Sequence, residues 1–219
     1  MKLFSSSRLN IPVFASPTFA QLADYAAAKN ADGARTDCLK ASGIAGKQFF
    51  LITSAARWTK NALRAVRAFD ELFSDSIAAD FKVVLTGVTN KGIFTRKLKN
   101  HDRFVFLEYV ERDVLQILAK NAYAFIYPSL NEGFGYPPVE SMRYGVPVAA
   151  SGTSSIPEVC GDAALYFDPH SVSEIKNRII QLLDSGIYSQ LIEKSKKQYE
   201  AISEKQGKDL SLLAEYIIS

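Results

Sequence analysis

RFVFLEYVERDVLQILAKNAYAFIYPS, residues 103–129, carries the pattern that decides the fold. A short, nearly continuous apolar run (RFVFL, 103–107) comes first. Val114, Leu115 and Leu118 then recur at helical spacing within residues 112–121, and a second apolar run follows (AYAFIY, 122–127). Strands that are apolar on both faces, joined through an amphipathic helix, belong to a parallel sheet covered on both sides. The same alternation extends in both directions. Upstream lie QFFLIT (48–53), a helix over 61–73 that aligns Leu63, Val66, Ala68, Phe69 and Leu72, and FKVVLT (81–86). Downstream lie VPVAA (146–150) and ALYF (164–167). Six strands with right-handed crossovers predict an α/β, Rossmann-like open parallel sheet of strand order 3-2-1-4-5-6.

After the last strand the apolar spacing predicts helices over 171–183, 189–198 and 210–218, the last with an exposed apolar face suited to self-association. Residues 1–46 read as a leader with one helix at 19–30, and residues 47–219 as the ligand-binding domain.

Composition narrows the function. The 219 residues are 47% hydrophobic and 22% charged, enough for a core that needs no metal or disulfide. Net charge is +3, which gives no reason to expect a nucleic-acid partner. Cys38 and Cys160 stand far apart, and the histidines are His101 and His170 alone. That is too little for a zinc site or a histidine-based relay. No apolar stretch reaches the roughly 20 residues that span a bilayer, and MKLFSSSRLN lacks the apolar run of a signal peptide. A cytoplasmic protein is expected, with peripheral membrane contact left open.

The chemistry concentrates in YPSLNEGFGYPPVESMRYGVPV, residues 127–148. It leaves a strand, passes Gly133 and Gly135, and enters a helix at Pro137-Pro138, with Pro138 read as the first helical residue and Glu140 in the first turn. Glycines permit close approach of a ligand to the backbone, and a helix N-terminus favours phosphate or hydroxyl oxygens. Singly, each feature is ordinary: Glu132 as a solvated loop carboxylate, Glu140 as compensation of the helix dipole.

Together they resemble the signature of the retaining GT-B glycosyltransferases of family 4. In that family two glutamates flank seven residues, as Glu132 and Glu140 do here. SGTSSIPEVCGDAALYFDPHS (151–171) continues the likeness, which covers roughly residues 49–183. The resemblance implies the C-terminal, donor-binding half of a GT-B fold that transfers a sugar from a nucleotide donor with retention. By that likeness Glu140 binds the ribose hydroxyls, and Glu132 with the amides of Gly133, Phe134 and Gly135 holds the transferred sugar. Arg57 and Lys60, in SAARWTKN after the first strand, stabilise the departing diphosphate. Backbone at Tyr109 and Val110 meets the nucleobase. No metal or other cofactor is implied.

Two departures from the family stand out. Ala56 precedes Arg57 where the family has glycine, with a shorter gap to the lysine, and Glu108-Tyr109 replaces the glycine after the third strand. The first gives Arg57 the better claim of the two cations, and the second bears on which base is accepted. A whole enzyme of this kind is about twice as long, so the expected partner is an acceptor-binding domain or subunit, which would also make any membrane contact. The chain alone is expected to be inactive or weakly active. The alternative is a non-catalytic nucleotide-sugar-binding module.

Overall fold

The structure, a computed structural model, describes residues 39, 44 and 48–218. The described residues up to 200 form one compact unit, and the helical residues 201–218 belong to a second. The helix expected at 19–30, Cys38, and nearly all of the 1–46 leader lie outside the described residues.

Six strands form one parallel sheet: β1 Gln48–Ile52, β2 Phe81–Leu85, β3 Phe104–Phe106, β4 Ala124–Tyr127, β5 Val148–Ser151 and β6 Ala164–Phe167. Their order is β3-β2-β1-β4-β5-β6, as the alternation predicts. The helices are α1 Ala62–Ser74, α2 Lys91–Thr95, α3 Arg112–Asn121, α4 Tyr136–Met142, α5 Ile156–Cys160, α6 Val172–Leu182 and α7 Ser185–Ile218.

Side chains alternate across each strand, so the sheet divides its apolar residues between two cores. Phe50 and Ile52 of β1 point into one, with Phe69 and Leu72 of α1 and Ile175 and Ile179 of α6. Phe49 and Leu51 point into the other, with Leu118 of α3, Met142 of α4 and Ile156 of α5. The first core is aromatic at its centre. Phe50 lies 4.9 Å from Phe69, 5.1 Å from Phe81 and 5.5 Å from Tyr123, ring centre to ring centre.

Four expectations are corrected. The helices expected at 189–198 and 210–218 are parts of one helix, α7. The stretch between them carries Glu200, Ala201, Glu204, Lys205, Gln206 and Lys208, which are good helix formers whether or not they bury a face. Helix α4 begins at Tyr136, so Pro138 is its third residue and Glu140 lies in the second turn. Gly135 makes this earlier start possible: at φ +97 it caps the helix in a conformation that other residues rarely adopt. Finally, the strands are mostly shorter than the apolar runs, and β5 starts after Pro147, which has no N–H to give to a ladder. Helices α2 and α5 are too short to show a periodicity in the sequence. Among the described residues no helix is long and apolar enough to cross a membrane.

One residue ties the ligand-facing edge together. Asn61 precedes α1 with φ +54. Its side-chain amide donates to the carbonyl of Pro128 after β4 at 3.0 Å and to that of Pro169 after β6 at 2.7 Å. Replacing Asn61 with Ala leaves two buried carbonyls unpaired and puts in the left-handed region a residue that tolerates it less well than asparagine. The expected loss is about 2–4 kcal/mol in urea denaturation. Asn61→Gly should recover about 1 kcal/mol of this by removing the backbone cost alone.

Candidate functional site

In an open parallel sheet, ligands bind at the carboxyl ends of the strands where the strand order reverses. Here that point lies between β1 and β4, which pair directly through Phe50–Ala124 and Leu51–Phe125. The loops that leave the strands continue the sheet's own bonding. Ala55 N–H donates to Thr86 carbonyl at 2.9 Å, Ala56 N–H to Gly87 carbonyl at 3.1 Å, and Gly87 N–H to Glu108 carbonyl at 2.9 Å. On the other side Leu130 N–H donates to Thr59 carbonyl at 2.8 Å. Ser54, Asn61 and Ser154 all have positive φ on this edge, and non-glycine residues keep such angles only where their surroundings enforce them.

At the centre of the edge is Lys60. It ends a single 3-10 turn, Trp58–Lys60, and is only 7% exposed. Its ammonium donates to the Tyr127 hydroxyl at 2.7 Å and to Glu132 Oε1 at 2.5 Å, and stands 4.8 Å from the centre of the Tyr127 ring. Ser129 donates its hydroxyl to the same glutamate oxygen at 2.5 Å. Burial works against the Glu132 charge, but hydrogen bonds from Lys60, Ser129 and Tyr127 outweigh it and hold the carboxyl below its ordinary value. Burial and the Glu132 charge push the Tyr127 phenol far upward, so it stays neutral.

Glu132 is held by its backbone as well. Its N–H donates to Ser154 Oγ at 3.2 Å, while Ser154 and Ser155 donate their hydroxyls to its carbonyl at 2.6 and 3.0 Å. Ser151, at the end of β5, donates to the Ser129 carbonyl. Loops after β1, β4 and β5 therefore position one carboxylate.

The structure thus joins Lys60 to Glu132 directly. Gly133 and Phe134 follow in the turn to α4, where Gly133 faces open space. Phe134 lies 4.4 Å from the Tyr136 ring. Glu140, in the second turn of α4, is half-buried; burial raises its carboxyl pKa, opposed by the charges of Arg112 and Arg143. Arg57 is exposed and makes no side-chain ion pair among the described residues, yet its charge reaches Tyr127. Tyr109, in the loop after β3, is 80% exposed, with Val110 half-buried beside it. Sequence reasoning missed Tyr127, Ser129, Asn61 and Ser154. Tyr127 reads as strand core, and nothing in the sequence near the others marks partners 22 to 108 residues away. Among the described residues, no three His, Cys, Asp or Glu side chains are grouped to hold a metal ion.

The sequence profile of the family described as "Glycosyl transferases group 1" matches residues 35–203. Among curated proteins, the O-antigen chain mannosyltransferase RfbU of Salmonella typhimurium is 32% identical over 147 residues, covering 64% of this chain and 40% of that protein. The O-antigen chain mannosyltransferase B of Escherichia coli is 43% identical over 86 residues, covering 39% of this chain and 23% of that protein. The chain therefore spans well under half the length of these relatives. Among solved structures, the sucrose-phosphate synthase of Thermosynechococcus elongatus superposes with a TM-score of 0.69 at 18% identity, over 83% of this chain and 48% of that one. A UDP-forming α,α-trehalose-phosphate synthase from Burkholderia vietnamiensis gives 0.69 at 11% identity, over 92% and 48%. At those identities the likeness establishes the fold: one Rossmann-like half of a GT-B architecture.

The pair Lys60–Glu132 has a measurable signature. With a folded-state pKa below its ordinary value, Glu132 stabilises the fold fully above that ordinary value, and the contribution is lost as pH falls through the depressed one. Glu132→Gln should flatten this acid limb of a urea-stability profile. Lys60→Met should cost about 3–5 kcal/mol at neutral pH by leaving the carboxylate buried without its ammonium. The double variant should lose less than the sum of the two.

Proposed function

The chain belongs to group 1 of the glycosyl transferases, and from that premise we propose that it is the donor-binding half of a retaining, family 4-like transferase that moves mannose from a nucleoside diphosphate. Relatives named as mannosyltransferases support the choice of sugar and an acceptor that is a growing polysaccharide. One observation carries the reading: a buried lysine and a fixed carboxylate, brought together from the loops after β1 and β4 at the switch point.

Each residue takes a role that its surroundings suit. Arg57, exposed at the crevice, offers a guanidinium fork to the diphosphate. Lys60 has three donors, two of them engaged, and the third is available to a phosphate oxygen. As the glycosidic bond to the phosphate breaks, these two cations stabilise the charge that develops on the leaving group, so the donor needs no metal. Glu132, with the amides of Gly133, Phe134 and Gly135, orients the sugar. Glu140 accepts the ribose hydroxyls, and Tyr109 with Val110 borders the nucleobase. The acceptor is held by a second domain or subunit, and the work is done in the cytoplasm. A non-catalytic donor-binding module is the alternative.

Calorimetry against UDP, GDP and ADP should show one that binds with EDTA present; absence of binding by a folded sample defeats the proposal. Arg57→Ala should weaken the diphosphate by about 1.5–3 kcal/mol and leave the free nucleoside nearly unchanged. Glu140→Ala should weaken both. Affinity should also fall as pH drops through the raised pKa of Glu140, because only the carboxylate accepts two hydroxyls.

Transfer itself needs both substrates held together, an advantage worth roughly 7–11 kcal/mol. With a radiolabelled mannosyl donor, the chain alone should at most hydrolyse it slowly. Transfer should appear when an acceptor-binding half is supplied. Transfer by the chain alone would instead place an acceptor site within it, and no transfer with any half supplied favours the non-catalytic module.

A further inference from the structure

The chain's positive charge is unevenly placed. Lys and Arg number 26 against 23 Asp and Glu, and residues 88–101 hold Lys91, Arg96, Lys97 and Lys99 with no acid at all. Removing those four leaves 22 basic residues against 23 acidic, so the entire net excess resides in one stretch of 14 residues. The cations are exposed, and Arg67 of α1 joins Arg96 and Lys97 around one shallow groove. Among the described residues none of these five makes an ion pair, whereas Lys176, Lys194 and Lys208 each have a carboxylate partner. The one acid lining the groove, Asp70, is committed: it accepts from the N–H groups of Lys99 and Asn100 at 3.1 and 2.9 Å and from the Asn100 side chain at 3.0 Å. That arrangement fixes the basic segment without quenching it.

The floor of the groove is apolar, formed by Leu63, Val66, Phe94 and Leu98. Ile93 stands out of it, 59% exposed, on the same short helix that carries Lys91. The volume is about 130 Å³, well below the roughly 300 Å³ at which small-molecule sites begin. A peptide or soluble ligand would find little to enter. Nucleic acid would find one exposed ring for stacking on the segment, the imidazole of His101, since its one phenylalanine, Phe94, is buried against Phe106. A protruding aliphatic side chain among lysines and arginines that form no ion pair among the described residues fits an interface that is apolar beneath and anionic above.

We propose that the face formed by α1 and residues 88–101 docks this chain on an anionic phospholipid bilayer. Ile93 enters the acyl boundary, while Arg67, Lys91, Arg96, Lys97 and Lys99 meet the headgroup phosphates. The face lies on the β2 side of the sheet, so docking is independent of the donor reading and adds a place of work to it.

The test is co-sedimentation of the 219-residue chain with phosphatidylcholine vesicles, alone and mixed with phosphatidylglycerol. The chain should bind the mixed vesicles, not the neutral ones, and be released by salt. Each cation near such a surface contributes about a fivefold gain in partitioning, so R96Q/K97Q should weaken it roughly twenty-five-fold. Ile93→Ser should weaken it at every salt concentration. Both variants change exposed residues and should keep the wild-type Tm, which separates lost docking from lost fold. No binding to mixed vesicles, equal binding to neutral ones, or undiminished binding by R96Q/K97Q overturns the proposal. Retention on single-stranded DNA or an acidic peptide without retention on vesicles also overturns it and assigns the face to that partner.

Discussion

A lysine buried to within 7% of full enclosure must find an anion or lose its charge, and the arrangement around Lys60 follows from that constraint. Glu132 supplies the anion at 2.5 Å, and to reach it the loop after β4 must fold back toward the loop after β1. Once it does, the remaining polar groups need partners. Ser129 hydrogen-bonds both Glu132 and the Thr59 carbonyl, Asn61 takes the Pro128 and Pro169 carbonyls, and Ser154 closes on the Glu132 backbone. One desolvated charge thereby specifies the relative positions of four loops. A buried ion pair adds little net stability compared with an apolar pair of the same shape, so its contribution here is to specificity of arrangement.

The two cations read from the sequence divide the work by burial. Lys60 is buried with most of its hydrogen-bonding capacity engaged, while Arg57 is exposed and its guanidinium is unbonded among the described residues. The inner one can hold a carboxylate still; the outer one can adapt to a ligand. The sequence argues for Arg57 as the stronger of the pair from its neighbours, whereas the geometry gives Lys60 the more constrained position.

Legibility in the sequence followed the physics of each feature. Strands covered on both faces must be apolar throughout, so all six were visible, and β6 has the predicted bounds. Helix α3 was visible because its spacing repeats over ten residues. Helix α7 reads as fragments because apolar spacing reports which face is buried, and polar helix formers carry no such mark. The glutamates and the glycines stand in one short segment and were found together. Tyr127, Asn61 and Ser154 were not, since each acts through a partner remote in the chain, and Tyr127 satisfies the strand pattern as well as a phenylalanine would.

The hydrogen-bond ladder carries on past the ends of β1 and β2. Ala55 and Ala56 remain hydrogen-bonded to Thr86 and Gly87 after the strands have formally ended, and Gly87 to Glu108. A β-carbon on Gly87 would come within 3.2 Å of the Ser54 backbone, so the two loops lie directly against each other there. Loops of this kind have already surrendered their conformational freedom during folding. A ligand that settles among them need not supply the ordering free energy again, and more of its contact energy is expressed as affinity.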